Sequence, residues 1–122
     1  LAPNEGQFHY ELGLALSENG DMEGTIAALK DCVRVSPRFG RAWYNLGLAL
    51  NGQGRTAEAV DALRQGENAD PSDPGIPYAR ATILAQLGQR EAAIQATQKA
   101  LGINPGLQEA RQLLHMLQNG PR

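Results

Sequence analysis

Few side chains in this chain of 122 residues could act in concert as nucleophiles, acids, bases or metal ligands. His9 and His115 stand at opposite ends, and no third donor accompanies either at the spacing a metal site needs. Cys32 is the only cysteine, so it closes no internal disulfide and leaves the compartment open, with the cytoplasm slightly favoured. It recurs in register with Gly66 and Ala100, a small-residue packing place, and so reads as a buried structural thiol rather than a nucleophile. Asp21, Glu23, Glu58 and Glu91 fall at or near predicted helix starts. A carboxylate there lies against the positive end of the helix dipole and stabilises the helix, which is not the role of an acid–base pair. Arg34, Arg38, Arg41 and Arg55 read as a solvated face, with an acidic-peptide site as the alternative. There is no glycine-rich phosphate loop. The chain therefore reads as non-enzymatic, with no cofactor site and no metal site.

Binding chemistry is better represented. Tyr10, Tyr44 and Tyr78 are the only tyrosines, and each is 34 residues from the next. The same step relates Pro37, Pro71 and Pro105, then Gly20, Gly54 and Gly88, then Gly13, Gly47 and Ala81. A fixed period of about 20–50 residues marks an array of similar supersecondary units. Such arrays usually bind other chains along a curved face. The bulk composition agrees. Hydrophobic residues make up 42% of the chain and aromatics only 5%, which suits closely packed helices of Leu and Ala and argues against a β-sandwich. The formal net charge is −2 with no basic run, which argues against nucleic acid as a partner. No apolar stretch approaches the roughly 18–20 residues that span a bilayer, so no membrane insertion is expected.

Two short helices per unit would position these residues. In the second unit Trp43, Leu46, Gly47 and Leu50 recur at three and four residues, one face of a helix. Gly52 and Gly54 interrupt it. Ala59, Ala62, Leu63 and Gly66 mark the next helix, which Asn68, Asp70 and Pro71 stop, because proline cannot continue the backbone ladder. The scheme predicts helices at 5–18, 22–35, 41–52, 56–68, 76–87, 90–102 and 107–118. The units are 6–39, 40–73 and 74–107, preceded at 1–5 by what aligns with the tail of an earlier unit and followed at 108–119 by a capping helix. Pro3 stands 34 residues before Pro37, so the chain is expected to be a fragment of a longer array. Gly13 and Gly47 sit mid-helix, where glycine costs about 1 kcal/mol against alanine, and this predicts close approach of the paired helix. Leu16, Leu50 and Leu84 would fill the space beside each pair. Pro71, Pro74 and Pro77 are expected to delay the fifth helix to Gly75 or Ile76. Arg80 is expected to lay its stem on the core and lift its head to water. Phe8 and Leu12 are expected to expose an apolar face.

With these residues in register, the chain resembles the tetratricopeptide repeat family over nearly its whole length. The second unit fits the family pattern as Trp43, Leu46-Gly47, Leu50, Ala59, Leu63, Gly66 and Pro71. The first has His9 in the tryptophan place, then Leu12-Gly13, Leu16, Thr25, Leu29, Cys32 and Pro37. The third has Pro77 there, then Arg80-Ala81, Leu84, Ala93, Thr97, Ala100 and Pro105. The resemblance implies an all-α fold, a right-handed α-solenoid of antiparallel helix pairs closed by a C-terminal capping helix. It also implies that the first helix of each pair lines a concave groove. Carried over residue by residue, that groove presents Gln7, Tyr10, Leu14 and Ser17, then Arg41, Tyr44, Asn45, Leu48 and Asn51. The third unit adds Tyr78, Thr82, Ala85 and Gln86, and the last helix adds Gln112 and Met116. The tyrosine rings either meet a ligand or pack between adjacent helices and expose an edge.

Two ligand chemistries known in the family keep only Asn45 of their patterns here, so neither is expected. Members that hold a heat-shock chaperone tail use a clamp of Lys, Asn, Asn, Lys and Arg, and the matching places here are Tyr10, Leu14, Asn45, Gly75 and Ala79. The asparagine ladder of certain glycosyltransferase arrays maps to Glu11, Asn45, Ala79 and Leu113. A groove of mixed polar and apolar character suits an extended peptide or a helix of a partner protein. The expected function is a protein–protein interaction scaffold. The alternatives are a targeting or regulatory arm of a larger enzyme, or weak self-association through an uncapped N-terminal end.

Overall fold

The computed structural model describes residues 4–120, which form seven helices with no strand among them. They are α1 (Glu5–Glu18), α2 (Met22–Val35), α3 (Gly40–Gly52), α4 (Thr56–Ala69), α5 (Gly75–Gln86), α6 (Arg90–Ile103) and α7 (Gln108–Asn119). Of the tail expected at 1–5, residues 1–3 lie outside the described residues, while Asn4 caps α1 and Glu5 begins it.

The boundaries have local causes. Asn4 Oδ1 accepts from the Gln7 amide at 3.1 Å and Asp21 Oδ1 from the Gly24 amide at 2.9 Å, so each caps an orphan N–H of its helix. At α5, Asp73 Oδ1 accepts from the Gly75 amide at 2.9 Å. Pro77 is accommodated because the first-turn N–H groups lack helical partners anyway. Helices α2, α4 and α6 stop at Val35, Ala69 and Ile103, just before Pro37, Pro71 and Pro105. The turn inside each pair needs one residue in the left-handed region, filled by Gly20, Gly54 and Gly88 at φ +81, +78 and +77.

The helices fall into two compact units that divide after Asp70. In the first, α1 packs on α2, α2 on α3, and α3 on α4. Its core holds Ile26, Leu29, Cys32, Leu46, Leu50 and Leu63. Small residues set the helix spacing. A Cβ on Gly47 would lie 2.7 Å from Leu63 Cγ, and one on Gly13 would lie 3.1 Å from Leu29 Cγ. Leu50 is buried, whereas Leu16 is only half-buried. Phe8 is 64% exposed, and Leu12 is exposed one turn further along α1.

In the second unit, α5 packs on α6 and α6 on α7. Ile76, Ile83, Leu84, Ala93, Ala96, Ala100 and Ala110 are buried. Thr97 is buried among them, and its hydroxyl donates to the Ala93 carbonyl at 2.7 Å, so no polar atom there is left unsatisfied. Arg90 Nε donates to the Leu117 carbonyl at 2.5 Å. A cation at the end of α7 matches the negative end of the helix dipole. Arg80 is half-buried.

Candidate functional site

Cys32 is fully buried, and its thiol donates to the Gly6 carbonyl at 3.2 Å. Burial pushes its pKa up, which disfavours the thiolate that nucleophilic chemistry needs. Among the described residues, no three His, Cys, Asp or Glu side chains group as metal ligands would. His9 Nδ1 is buried without a hydrogen-bond partner, and its ring meets the edge of Phe8 at 5.5 Å. Carboxylates stand beside Arg34 and Arg55. Arg34 lies 3.5 Å from Asp31, and Arg55 Nε donates to Glu58 at 2.7 Å while its Nη1 lies 3.7 Å from Glu23. The Arg55 hydrogen bond holds the Glu58 carboxyl below its usual pKa.

The groove candidates of the first unit lie on α1 and α3. Leu14, Ser17, Asn45 and Leu48 line one cleft of about 220 Å³, with Thr25 and Leu29 of α2 also in its wall. Leu14 is 39% and Leu48 43% exposed, high for leucine. Asn45 Nδ2 donates to the Tyr10 hydroxyl at 3.0 Å, joining α3 to α1. The Tyr10 ring packs on Phe39 with centroids 4.6 Å apart and is half-buried. Tyr44 is also half-buried, with the Arg41 guanidinium 4.4 Å above its ring centroid. Gln7 Nε2 donates to Glu11 at 2.9 Å.

In the second unit, Tyr78, Thr82 and Ala85 are half-buried along α5 and Gln86 is exposed. The Thr82 hydroxyl donates to the Ala79 carbonyl at 2.8 Å. Gln112 and Met116 share an open face of α7 with Arg111 and His115, and Met116 is 64% exposed.

A larger cleft escapes the sequence reading. It measures about 510 Å³ and lies among α2, α3 and α4, lined by Val33, Trp43, Leu46 and Leu50, with Lys30, Arg34, Glu58 and Asp61 around them. Trp43 Nε1 donates to the Pro37 carbonyl at 2.8 Å, which fixes the indole as one wall. The sequence signal was the small Ala57 and Ala62, which line the same cleft as the only tryptophan.

These helix pairs, with small residues at their crossings and glycine in their turns, define an all-α helical-repeat protein. The chain belongs to the tetratricopeptide repeat family: tetratricopeptide repeat models match residues 10–74 and 78–107. Solved structures agree in fold. The chain is similar to the crystal structure of MamA at 25% identity and a TM-score of 0.87, over 97% of this chain and 69% of that one. It is also similar to the Yersinia enterocolitica type III secretion chaperone SycD, solved in complex with a peptide of the translocator YopD, at 16% identity and TM-score 0.87 over 96% and 95% of the chains. The TPR2B domain of yeast Sti1, solved as a complex with pHsp70, aligns at 17% identity and TM-score 0.84 over 96% and 98%. A comparison with curated proteins finds no match. No helix among the described residues is long and apolar enough to cross a membrane.

Proposed function

We propose that this chain is a non-catalytic protein-interaction scaffold whose α1/α3 face holds an extended peptide or a helix of a partner protein. The observation that carries this reading is the cleft that gathers Leu14, Ser17, Asn45 and Leu48 from two helices. Its exposed leucines offer apolar anchoring, and Asn45, held by Tyr10, offers an oriented amide for a peptide group. Apolar pockets joined to a few oriented polar groups are what peptide ligands require. Gln7, Arg41 and Tyr44 are proposed to flank this site. Tyr78, Thr82, Gln112 and Met116 are proposed as the second unit's own ligand contacts. The complex of SycD with a translocator peptide supports a peptide ligand for a fold of this kind, and the pHsp70 complex of Sti1 supports a protein partner. The places of the chaperone-tail clamp keep only Asn45, so the proposed ligand is a different peptide.

Selection of displayed peptides against the chain tests this reading. Tyr44→Ala is expected to cost about 2 kcal/mol of binding if Tyr44 is a hot spot. Leu48→Arg, with a charge on the exposed leucine, is expected to abolish capture while circular dichroism stays unchanged. Peptides that bind both variants as tightly as the native chain would defeat the proposal. The exposure of Phe8 and Leu12 favours a second reading, weak self-association, for which light scattering would show mass rising with concentration.

A further inference from the structure

Two clefts flank α3. At about 3.6 residues per turn, Trp43, Leu46 and Leu50 project from one side of this helix, and Asn45, Leu48 and Ala49 from the other. The first set lines the larger cleft and the second set lines the α1/α3 cleft. The larger one has a volume of about 510 Å³, within the range of ligand-binding pockets. Its floor is apolar, built from Val33, Leu46 and Leu50, with the indole of Trp43 as a wall. Tryptophan in such a setting is a frequent binding hot spot.

The charged side chains lining the two long walls are opposite in sign, although Arg34 also pairs with Asp31 at 3.5 Å and Glu58 also accepts from Arg55 at 2.7 Å. Lys30 and Arg34 belong to α2, and Glu58 and Asp61 belong to α4. Lys30 Nζ and Glu58 lie 3.8 Å apart and join the walls, but both side chains are about half exposed. An ion pair in that setting is weak, so an incoming chain can displace it.

We propose that this cleft is a second docking site whose occupant is an amphipathic helix of a partner protein, with an apolar ridge, one acidic flank and one basic flank. The ridge would fill the apolar floor, the acidic flank would face Lys30 and Arg34, and the basic flank would face Glu58 and Asp61. A helix laid in an apolar groove is a recurring recognition mode, and flanking charges set its register. Here they also set its direction. Turning the helix end for end exchanges its flanks and places like charges together on both walls. A helix with flanks of a single sign meets repulsion on one wall in either direction. With both clefts occupied, α3 would hold two partners on its two sides.

The test uses the whole chain and three tryptophan-free synthetic peptides that share one leucine ridge. One has a Glu flank and a Lys flank, one has Lys on both, and one has Glu on both. Trp43 is the only tryptophan, so its emission reports occupancy directly. The mixed peptide is expected to bind about tenfold more tightly than either uniform one. Ala57→Arg puts a long side chain into the cleft from an exposed position and is expected to weaken binding about tenfold or more without unfolding the chain. In the double variant Lys30→Glu, Arg34→Glu both walls are acidic, and the peptide with Lys on both flanks becomes the tightest. The proposal is overturned by any of three results: no change in Trp43 emission with any peptide, equal binding of all three, or binding that survives Ala57→Arg. Binding that survives Ala57→Arg but is lost in Leu48→Arg would place the peptide on the α1/α3 face. That outcome would leave the first proposal standing while this one fails.

Discussion

Gly47→Ala should destabilise the first unit even though alanine is the better helix former. The added methyl would lie 2.7 Å from Leu63 Cγ, 2.8 Å from Leu63 Cδ2 and 3.4 Å from the Ala59 carbonyl oxygen. Leu63 is 0% exposed, so it has no open space into which to retreat. Overpacking of this kind typically costs about 1–3 kcal/mol. The gain in helix propensity returns about 1 kcal/mol. The net expectation is a loss of about 1 kcal/mol, read as a fall of roughly 0.5–1 M in the urea midpoint for a slope of about 1–2 kcal/mol per M. Trp43 lies on the same helix, so its fluorescence follows this unit specifically. Gly52→Ala, in the last turn of α3, has nothing within 4 Å of its added methyl and should raise the midpoint slightly. An unchanged or raised midpoint for Gly47→Ala would refute the claim that glycine is there to let α3 and α4 approach. A fall for both variants would point instead to some other property of α3.

Two further expectations follow from burial and charge. Cys32 should resist alkylation by iodoacetamide in native buffer and react only as denaturant opens the unit, because its thiol is buried, bonded to Gly6 and raised in pKa. Rapid labelling of the folded chain would contradict this. Glu58 has its carboxyl pKa lowered, first by the hydrogen bond from Arg55, so it binds a proton less readily folded than unfolded. Its contribution to stability is therefore complete above the ordinary glutamate pKa of about 4.3 and is lost as the pH falls below that through the lowered value. Urea midpoints of the native chain and Glu58→Gln should converge as the pH drops through this window. The gap at neutral pH should be small and shrink with salt, because the pair is exposed.

The helices were legible because the code is local and written three times. Proline after each second helix and glycine in each turn mark the boundaries. The delayed start of α5 at Gly75 follows from Pro74 and Pro77. The close approach at Gly47 was legible for the same reason, since a mid-helix glycine in register with Gly13 and Ala81 needs a packing cause. Surface chemistry was less legible because it depends on residues far apart in the chain. The partners of Tyr10 are Phe39 and Asn45, and nothing in the spacing says that its ring stacks on one and its hydroxyl meets the other. The arginines at 34 and 55 read as a solvated face, but their spacing did not say that Asp31, Glu58 and Glu23 stand beside them. The cleft beside Trp43 is hardest to read from sequence, because a cleft is space left unfilled. It exists where Ala57 and Ala62 of α4 face a tryptophan that the repeat pattern assigns to packing.

The measurement that tests the scaffold claim most directly is a two-dimensional ¹H–¹⁵N titration of the whole chain with a peptide selected against it. Progressive shifts are expected at Leu14, Ser17, Asn45 and Leu48, with the Asn45 side-chain amide among the largest. Saturable binding that leaves these four residues unmoved would contradict the scaffold claim.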